Sequence, residues 1–414
     1  MPRLAPSPSG QPLTRVAATV LSVPDASTRT ERFRRFDTAR VPSPCFVVDR
    51  VAIEENLRVL DQVQRASGAK ILLALKAFAM WTLAPLVARY LTGTCASGLD
   101  EARLGREEFG GEVHTFSAAY GERDLAAILE LSDHVVFNSF AQWERFQPLV
   151  REAHRRRPQL RFGLRVNPEH SEGKNPLYDP CSPFSRLGIP RSQFHGNLDG
   201  ISGLHFHTLC EDDFEPLART VTAFEHGFGE FLDGMQWINF GGGHHITRGG
   251  YDIDGLVRLI GEFQKRHGVQ VYLEPGEAVA LDAGVFVAEV LDLTHNGMPL
   301  AILDASATCH MPDVIEGPYR PRIIDAGEPH QHPYRYRLGG QSCLAGDVVG
   351  DYSFPRPLRV GDRLVFEDMA IYSMVKTTTF NGMRLPTIAL WDSGTDALRI
   401  VRQFGYEDFK CRLS

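Results

Sequence analysis

The chain has 414 residues, room for two domains, and its 43% hydrophobic and 23% charged content is that of an ordinary globular protein. A net charge of -7 argues against a nucleic-acid partner and permits a cationic ligand. The seven cysteines are scattered and odd in number with no C-x-x-C pair, which argues for reduced thiols in the cytosol over disulfides or a zinc site, and no apolar run reaches membrane-spanning length.

Residues 1–14, rich in Pro, Ser and Gly, read as a loose end. The apolar stretch from Val16 to Val23 lacks a small-residue cleavage site and is followed by charges, so a partly flexible extension over 1–40 is expected rather than a signal peptide. Prolines 42 and 44 punctuate the entry to a strand ending at Asp49, and Val51, Ile53, Leu57, Leu60 and Val63 mark a helix. From Lys70 the pattern alternates. Strands are predicted over Ile71–Lys76, Gly93–Ser97, Val113–Ser117, His134–Asn138, Arg161–Val166, Ile201–His207, Trp237–Gly241 and Val269–Glu274. Helices are predicted over Leu83–Tyr90, Leu99–Glu108, Glu122–Leu131, Ala141–Arg155, Pro216–Leu232 and Ile253–His267. Eight strands alternating with helices over about 200 residues match a TIM-like β/α barrel, assigned here to 41–284. An open doubly wound sheet fits less well, because no G-x-G-x-x-G follows the first strand. Beyond Gly284, short strand-like runs separated by Gly, Pro and Asp turns predict a second, mainly β domain over 285–414.

The polar residues gather at the C-terminal ends of the barrel strands, where barrel active sites form. The run Ile71-Leu-Leu-Ala-Leu75 ends in Lys76. It is either a lysine snorkelling to water or a partly desolvated amine, whose pKa would fall and which would be free to form a Schiff base with pyridoxal phosphate. Gly241-Gly242-Gly243 is either a tight turn or a nest of amides for a phosphate. Glu274, before Pro-Gly, is either a salt-bridged strand end or the partner of a pyridinium nitrogen. His207 can stack on a planar ring. His205 and His207 share a strand face, so a metal pair is weighed, but no carboxylate completes one and no metal is expected. His244 and His245 read as a loop pair. Cys343, in Gly340-Gln-Ser-Cys-Leu-Ala-Gly-Asp347, is either a small packed side chain or a proton donor on a loop, and Tyr372 either packs or bonds a phosphate.

The order Lys, His, Gly-Gly-Gly, Glu-Pro-Gly, Cys, Tyr resembles that of the fold-type III, alanine-racemase-like pyridoxal-phosphate decarboxylases across nearly the whole chain. Within that group the chain more closely resembles the carboxynorspermidine/carboxyspermidine decarboxylases. The resemblance is carried by His205-Phe-His-Thr-Leu-Cys-Glu211, Leu303-Asp-Ala-Ser-Ala-Thr-Cys-His-Met-Pro-Asp313, the Cys343 segment and the ending Phe404-Gly-Tyr-Glu-Asp-Phe-Lys-Cys-Arg-Leu-Ser414. It implies that Lys76 forms the Schiff base, His207 stacks on the ring, Glu274 holds the pyridine nitrogen, and the triple glycine and Tyr372 hold the phosphate. It also implies a homodimer in which Cys343 enters the neighbour's site. Ornithine-type relatives carry a phosphate-binding arginine where this chain has Glu277, so Glu277, with Asp313, is expected to bind an ammonium of a polyamine carboxylate. The expected reaction is decarboxylation of carboxynorspermidine or carboxyspermidine to norspermidine or spermidine in the cytoplasm, with no membrane partner. The alternatives are a diaminopimelate- or ornithine-type decarboxylase, a racemase, or a non-catalytic carrier of the cofactor. Against these stand the acidic Glu277, a cysteine where a racemase carries a tyrosine base, and the second domain that a carrier lacks.

Overall fold

Eight short, mostly buried runs form parallel strands: β1 (Lys70–Ala74), β2 (Gly93–Ala96), β3 (Glu112–Phe116), β4 (His134–Phe137), β5 (Arg161–Asn167), β6 (Gly203–His205), β7 (Trp237–Asn239) and β8 (Gln270–Leu273). This is a computed structural model, and it describes residues 26–173 and 175–414. Each strand pairs in parallel with the next, and β8 returns to β1 with Tyr272 opposite Lys70, so the sheet closes into a barrel. Closure explains this burial, since strands covered on both faces bury both sets of side chains. The helices lie outside. Arg50–Ser67 turns Ala52, Ile53, Leu57, Leu60 and Val63 inward, starts on Asp49 accepting from the Val51 amide, and ends at Gly68 with φ 76°. Pro148, near the start of Gln147–Arg156, separates that helix from Phe140–Arg145 where one continuous helix is predicted.

Several predicted boundaries change. The strands stop short of the rim residues: β1 ends at Ala74, β6 at His205, β7 at Asn239 and β8 at Leu273. Lys76, His207, the glycines and Glu274 therefore lie in the turns just beyond. There backbone bonds run between neighbouring turns, as from the Glu274 amide to the Gly241 carbonyl (2.7 Å). The strand Cys45–Asp49, predicted within the barrel unit, belongs to the second domain instead. It lies antiparallel to Gly284–Val287 and parallel to Thr387–Trp391, and all five of its residues are buried there.

The second domain is an eight-stranded sheet built on the long strand Gly284–His295, with a core around Phe46, Phe286, Phe366 and Tyr352. The helix Ala26–Arg34 packs Phe33 on Trp391 and buries Arg29, so this part of the expected extension is built into the fold. The predicted loose end at 1–14 and the apolar stretch at 16–23 lie outside the described residues.

Candidate active site

Lys76 sits in the turn after β1, and its side chain is exposed in the cavity, so of the two readings of the sequence the desolvated one is not met. His207 lies across from it. The Gly242 amide donates to His207 Nδ1 (2.9 Å), so the neutral ring carries its proton on Nε2, which faces Lys76 Nζ at 3.4 Å. Burial, and then the Lys76 charge, hold this imidazole well below the usual histidine range.

The triple glycine is a steric requirement. Gly241 and Gly243 have φ of 71° and 83°, and a Cβ on Gly242 would stand 2.1 Å from the Glu274 carbonyl oxygen. The expected nest of three amides is corrected. The Gly241 amide donates to Asn239 Oδ1 (2.8 Å) and that of Gly242 to His207. The Gly243 amide alone of the three has no hydrogen-bond partner among the described residues, and Gly243 lines the cavity.

Glu274 accepts from Asn239 Nδ2 (2.6 Å). Its other oxygen stands 3.5 Å from His205 Nε2 without the alignment of a hydrogen bond. Burial, and then Arg165, keep His205 neutral, so this is not an ion pair or half of a metal pair. Asn239 thus holds the carboxylate with one end of its amide and the glycine turn with the other. Arg165, buried over the Phe116 ring (4.6 Å), donates to the His207 carbonyl (2.8 Å). Burial lowers its pKa to about 10, which leaves it cationic. Sequence reasoning missed both residues. The signal was present as an amide closing one short strand and a charge in the middle of another.

Tyr372 lines the cavity from the sheet domain with a φ of 46°, strained for a bulky residue. Its amide donates to the Ala77 carbonyl (2.9 Å), tying that turn to the one that carries Lys76. Burial, and then Glu277, raise its hydroxyl above the usual tyrosine range, so it is a proton-bearing donor at neutral pH. Glu277 opens the short helix Glu277–Ala280 in the cavity wall, buried, with Oε2 3.1 Å from His245 Nε2. His245 is therefore the partner of Glu277 and no idle loop residue.

Two of the predicted site residues do not line this cavity within one chain. Asp313 is off the cavity wall, its Oδ1 taken by Lys376 Nζ (2.6 Å) and the Tyr178 hydroxyl (3.3 Å). Its charge is already answered, so it is not free for an ammonium. Cys343 is exposed on its loop, its amide on Asn381 Oδ1 (2.8 Å), and does not line the cavity. Toward the other end of the barrel, Glu112, His114 and His134 bring possible metal donors within 4.8 Å of one another. Lys70 Nζ (2.5 Å) and the Tyr272 hydroxyl (3.0 Å) already bond Glu112. The two imidazoles stack at 3.8 Å with 16° between planes. Ring lone pairs lie in the ring planes, and planes this near to parallel cannot both aim at one ion.

The main cavity, of about 460 Å³, has the size of a cofactor site. Pyridoxal phosphate asks for an amine, a carboxylate for its ring nitrogen, a flat face for its ring and donors for its phosphate. Lys76, Glu274, His207, and the Gly243 amide with the Tyr372 hydroxyl fit those four needs. Fold and cavity together define a barrel-type pyridoxal-phosphate enzyme. A family model described as pyridoxal-dependent decarboxylase, C-terminal sheet domain, matches residues 45–370. A carboxyaminopropylagmatine decarboxylase of Synechocystis is 45% identical, covering 90% of this chain and 96% of its own. A carboxynorspermidine/carboxyspermidine decarboxylase of Campylobacter jejuni is 41% identical, covering 90% and 99%. The crystal structure of carboxynorspermidine decarboxylase complexed with norspermidine, also from Campylobacter jejuni, has a TM-score of 0.82 and 40% identity over 90% of this chain and 100% of that one. The chain belongs to the pyridoxal-dependent decarboxylases, and it is an enzyme that releases a substrate carboxylate as CO2 with that cofactor.

Proposed function

We propose that the substrate is a carboxylated polyamine, carboxynorspermidine or carboxyspermidine, and that the product is norspermidine or spermidine in polyamine biosynthesis. The observation that carries this reading is Glu277, an acidic side chain in the wall of the Lys76 cavity where ornithine-type relatives carry an arginine. A carboxylate there attracts a substrate ammonium and repels a second carboxylate, which argues against diaminopimelate. The Campylobacter jejuni relatives support the same substrates.

Lys76 holds the cofactor through its amine, His207 packs on the face of the ring, and Glu274 keeps the ring nitrogen protonated. The Gly243 amide and the Tyr372 hydroxyl hold the phosphate, and Gly241 and Gly242 shape the turn that aims them. When bound, pyridoxal phosphate supplies the electron sink for the pair left behind as CO2 departs. The proton that replaces CO2 on the α-carbon comes from the partner subunit's Cys343 or from a nearby water. Cys343 stands exposed on its loop, away from its own cavity, as a residue serving a neighbour's site in a homodimer would. One C–C bond breaks and one C–H bond forms. The seven free cysteines support a reducing, cytoplasmic setting. Among the described residues no helix is long and apolar enough to cross a membrane.

A second substrate, carboxyaminopropylagmatine, is favoured by the 45% identical Synechocystis relative. CO2 release from these three carboxylates, beside ornithine, lysine and diaminopimelate, decides between them. A preference for diaminopimelate would overturn the reading. Glu277→Gln should lower kcat/KM for the preferred substrate by roughly tenfold to a hundredfold and leave cofactor occupancy unchanged.

A further inference from the structure

Glu277 is a buried carboxylate in the cavity wall and needs neighbours to hold it in place. The helix it opens has four residues, too short to orient a side chain by itself. The loop after the triple glycine does the holding. Thr247 donates its hydroxyl to the Ala278 carbonyl (2.6 Å), and His245 Nε2 stands 3.1 Å from Glu277 Oε2. On the other side of the ring, His245 Nδ1 faces Arg248 Nη1 at 3.3 Å, and the same guanidinium bonds Asp213. A guanidinium can only donate, so Nδ1 accepts and the ring proton sits on Nε2, aimed at the carboxylate. Glu277 Oε1 has no hydrogen-bond partner among the described residues, and the Glu277 residue lines the cavity. Asp213, Arg248, His245 and Glu277 thus form a chain of contacts that ends on one free carboxylate oxygen.

We propose that His245 is a positioning residue for substrate selection: it fixes Glu277 by one oxygen and so presents the other to an ammonium of the substrate. This rests on the reading of Glu277 as the cation-binding group. Glu277 and Glu211 face the imidazole as anions and Arg248 as a cation, with His244 and Asp368 also in electrostatic reach. Burial disfavours the charged ring, but the hydrogen bond and charge of Glu277 outweigh it and raise the pKa of His245. The ring therefore keeps its bond to the carboxylate whether neutral or charged.

The test uses the cofactor-loaded enzyme and the carboxylated polyamine it decarboxylates best. His245→Leu removes the donor. KM should rise about tenfold or more, with kcat little changed and the absorbance of bound cofactor unaltered. His245→Asn, polar but too short to reach Glu277, carries the same expectation if the leucine variant does not fold. His245→Gln places an amide N–H near the Nε2 position and should restore most of the KM. In a Glu277→Gln background, His245→Leu should add nothing, because its effect passes through the carboxylate. If Glu277→Gln raises KM and His245→Leu and His245→Asn do not, this inference fails and the substrate reading stands. If Glu277→Gln itself leaves KM unchanged, both fall. If the His245 variants lose cofactor instead of substrate affinity, His245 serves the phosphate and the inference is overturned.

Discussion

Asn239→Asp tests the electrostatics of the site with a change of almost no volume. Asn239 is fully buried and gives Nδ2 to Glu274 at 2.6 Å while Oδ1 takes the Gly241 amide at 2.8 Å. The aspartate keeps the second bond and turns the first into a contact between two carboxylate oxygens. Two unit charges that close repel by about 6 kcal/mol at an effective dielectric constant of 20. Keeping a proton on an ordinary carboxyl at pH 7 costs only about 4 kcal/mol. Repulsion wins, so the pair retains one proton at neutral pH, and Glu274 no longer presents a full negative charge to the cofactor's ring nitrogen. We expect kcat/KM to fall by roughly tenfold to a hundredfold at pH 7, the range set by one lost charge-assisted bond, with cofactor still bound. The loss should shrink as pH rises and the shared proton leaves. The assay is initial CO2 release against substrate concentration from pH 6 to 9, with the spectrum of the bound cofactor recorded at each pH. Asn239→Ala is the control. It strands the Gly241 amide, costs about 1–3 kcal/mol of stability, and introduces no new pH dependence. An aspartate variant with unchanged kcat/KM and an unchanged pH profile would refute the reasoning.

Three further outcomes follow from the same geometry. Lys76→Ala should fold normally but no longer fix the cofactor to the chain on borohydride reduction. An adduct mapped instead to Lys70, which is engaged with Glu112 at the other end of the barrel, would refute the assignment. If the partner subunit supplies Cys343, inactive Lys76→Ala and Cys343→Ala proteins should regain activity when mixed under conditions of subunit exchange, and demonstrated exchange without activity would place the whole site in one chain. Acid should destabilise the fold through buried histidines. Burial lowers His310 to about 4 and His244 to about 3, so each contributes stability that is complete above the unfolded value near 6.5 and is lost as pH falls toward the folded value. Each should cost about 2 kcal/mol between pH 6.5 and 4.5 by denaturant titration. A His310→Gln variant with the wild-type dependence on pH would remove His310 from that account.

The eight barrel strands, Lys76 at the end of the first, and the glycines and Glu274 at the ends of later ones were legible in the sequence. Their signals are local. A short run covered on both faces looks much the same in any barrel, and a charge or a glycine cluster at its end is visible without knowing its neighbours. Partner choice was not legible. Asn239 and Glu274 are 35 positions apart, and His245 and Glu277 are 32 apart. They meet only because the ends of β7 and β8 are adjacent on the rim. The same closure sends two of the three glycine amides to Asn239 and His207 instead of to an anion. Asp313 looked available for a cation, yet Lys376, 63 positions on, takes its charge. Cys45–Asp49 looked like the start of the barrel and pairs instead with strands that begin at Gly284 and Thr387. Periodicity and composition determine which segments become strands and helices and where a reactive side chain can emerge, because those depend on neighbours along the chain. Which polar atoms remain unpaired, and so free to bind or react, is decided only when distant segments have taken their hydrogen bonds.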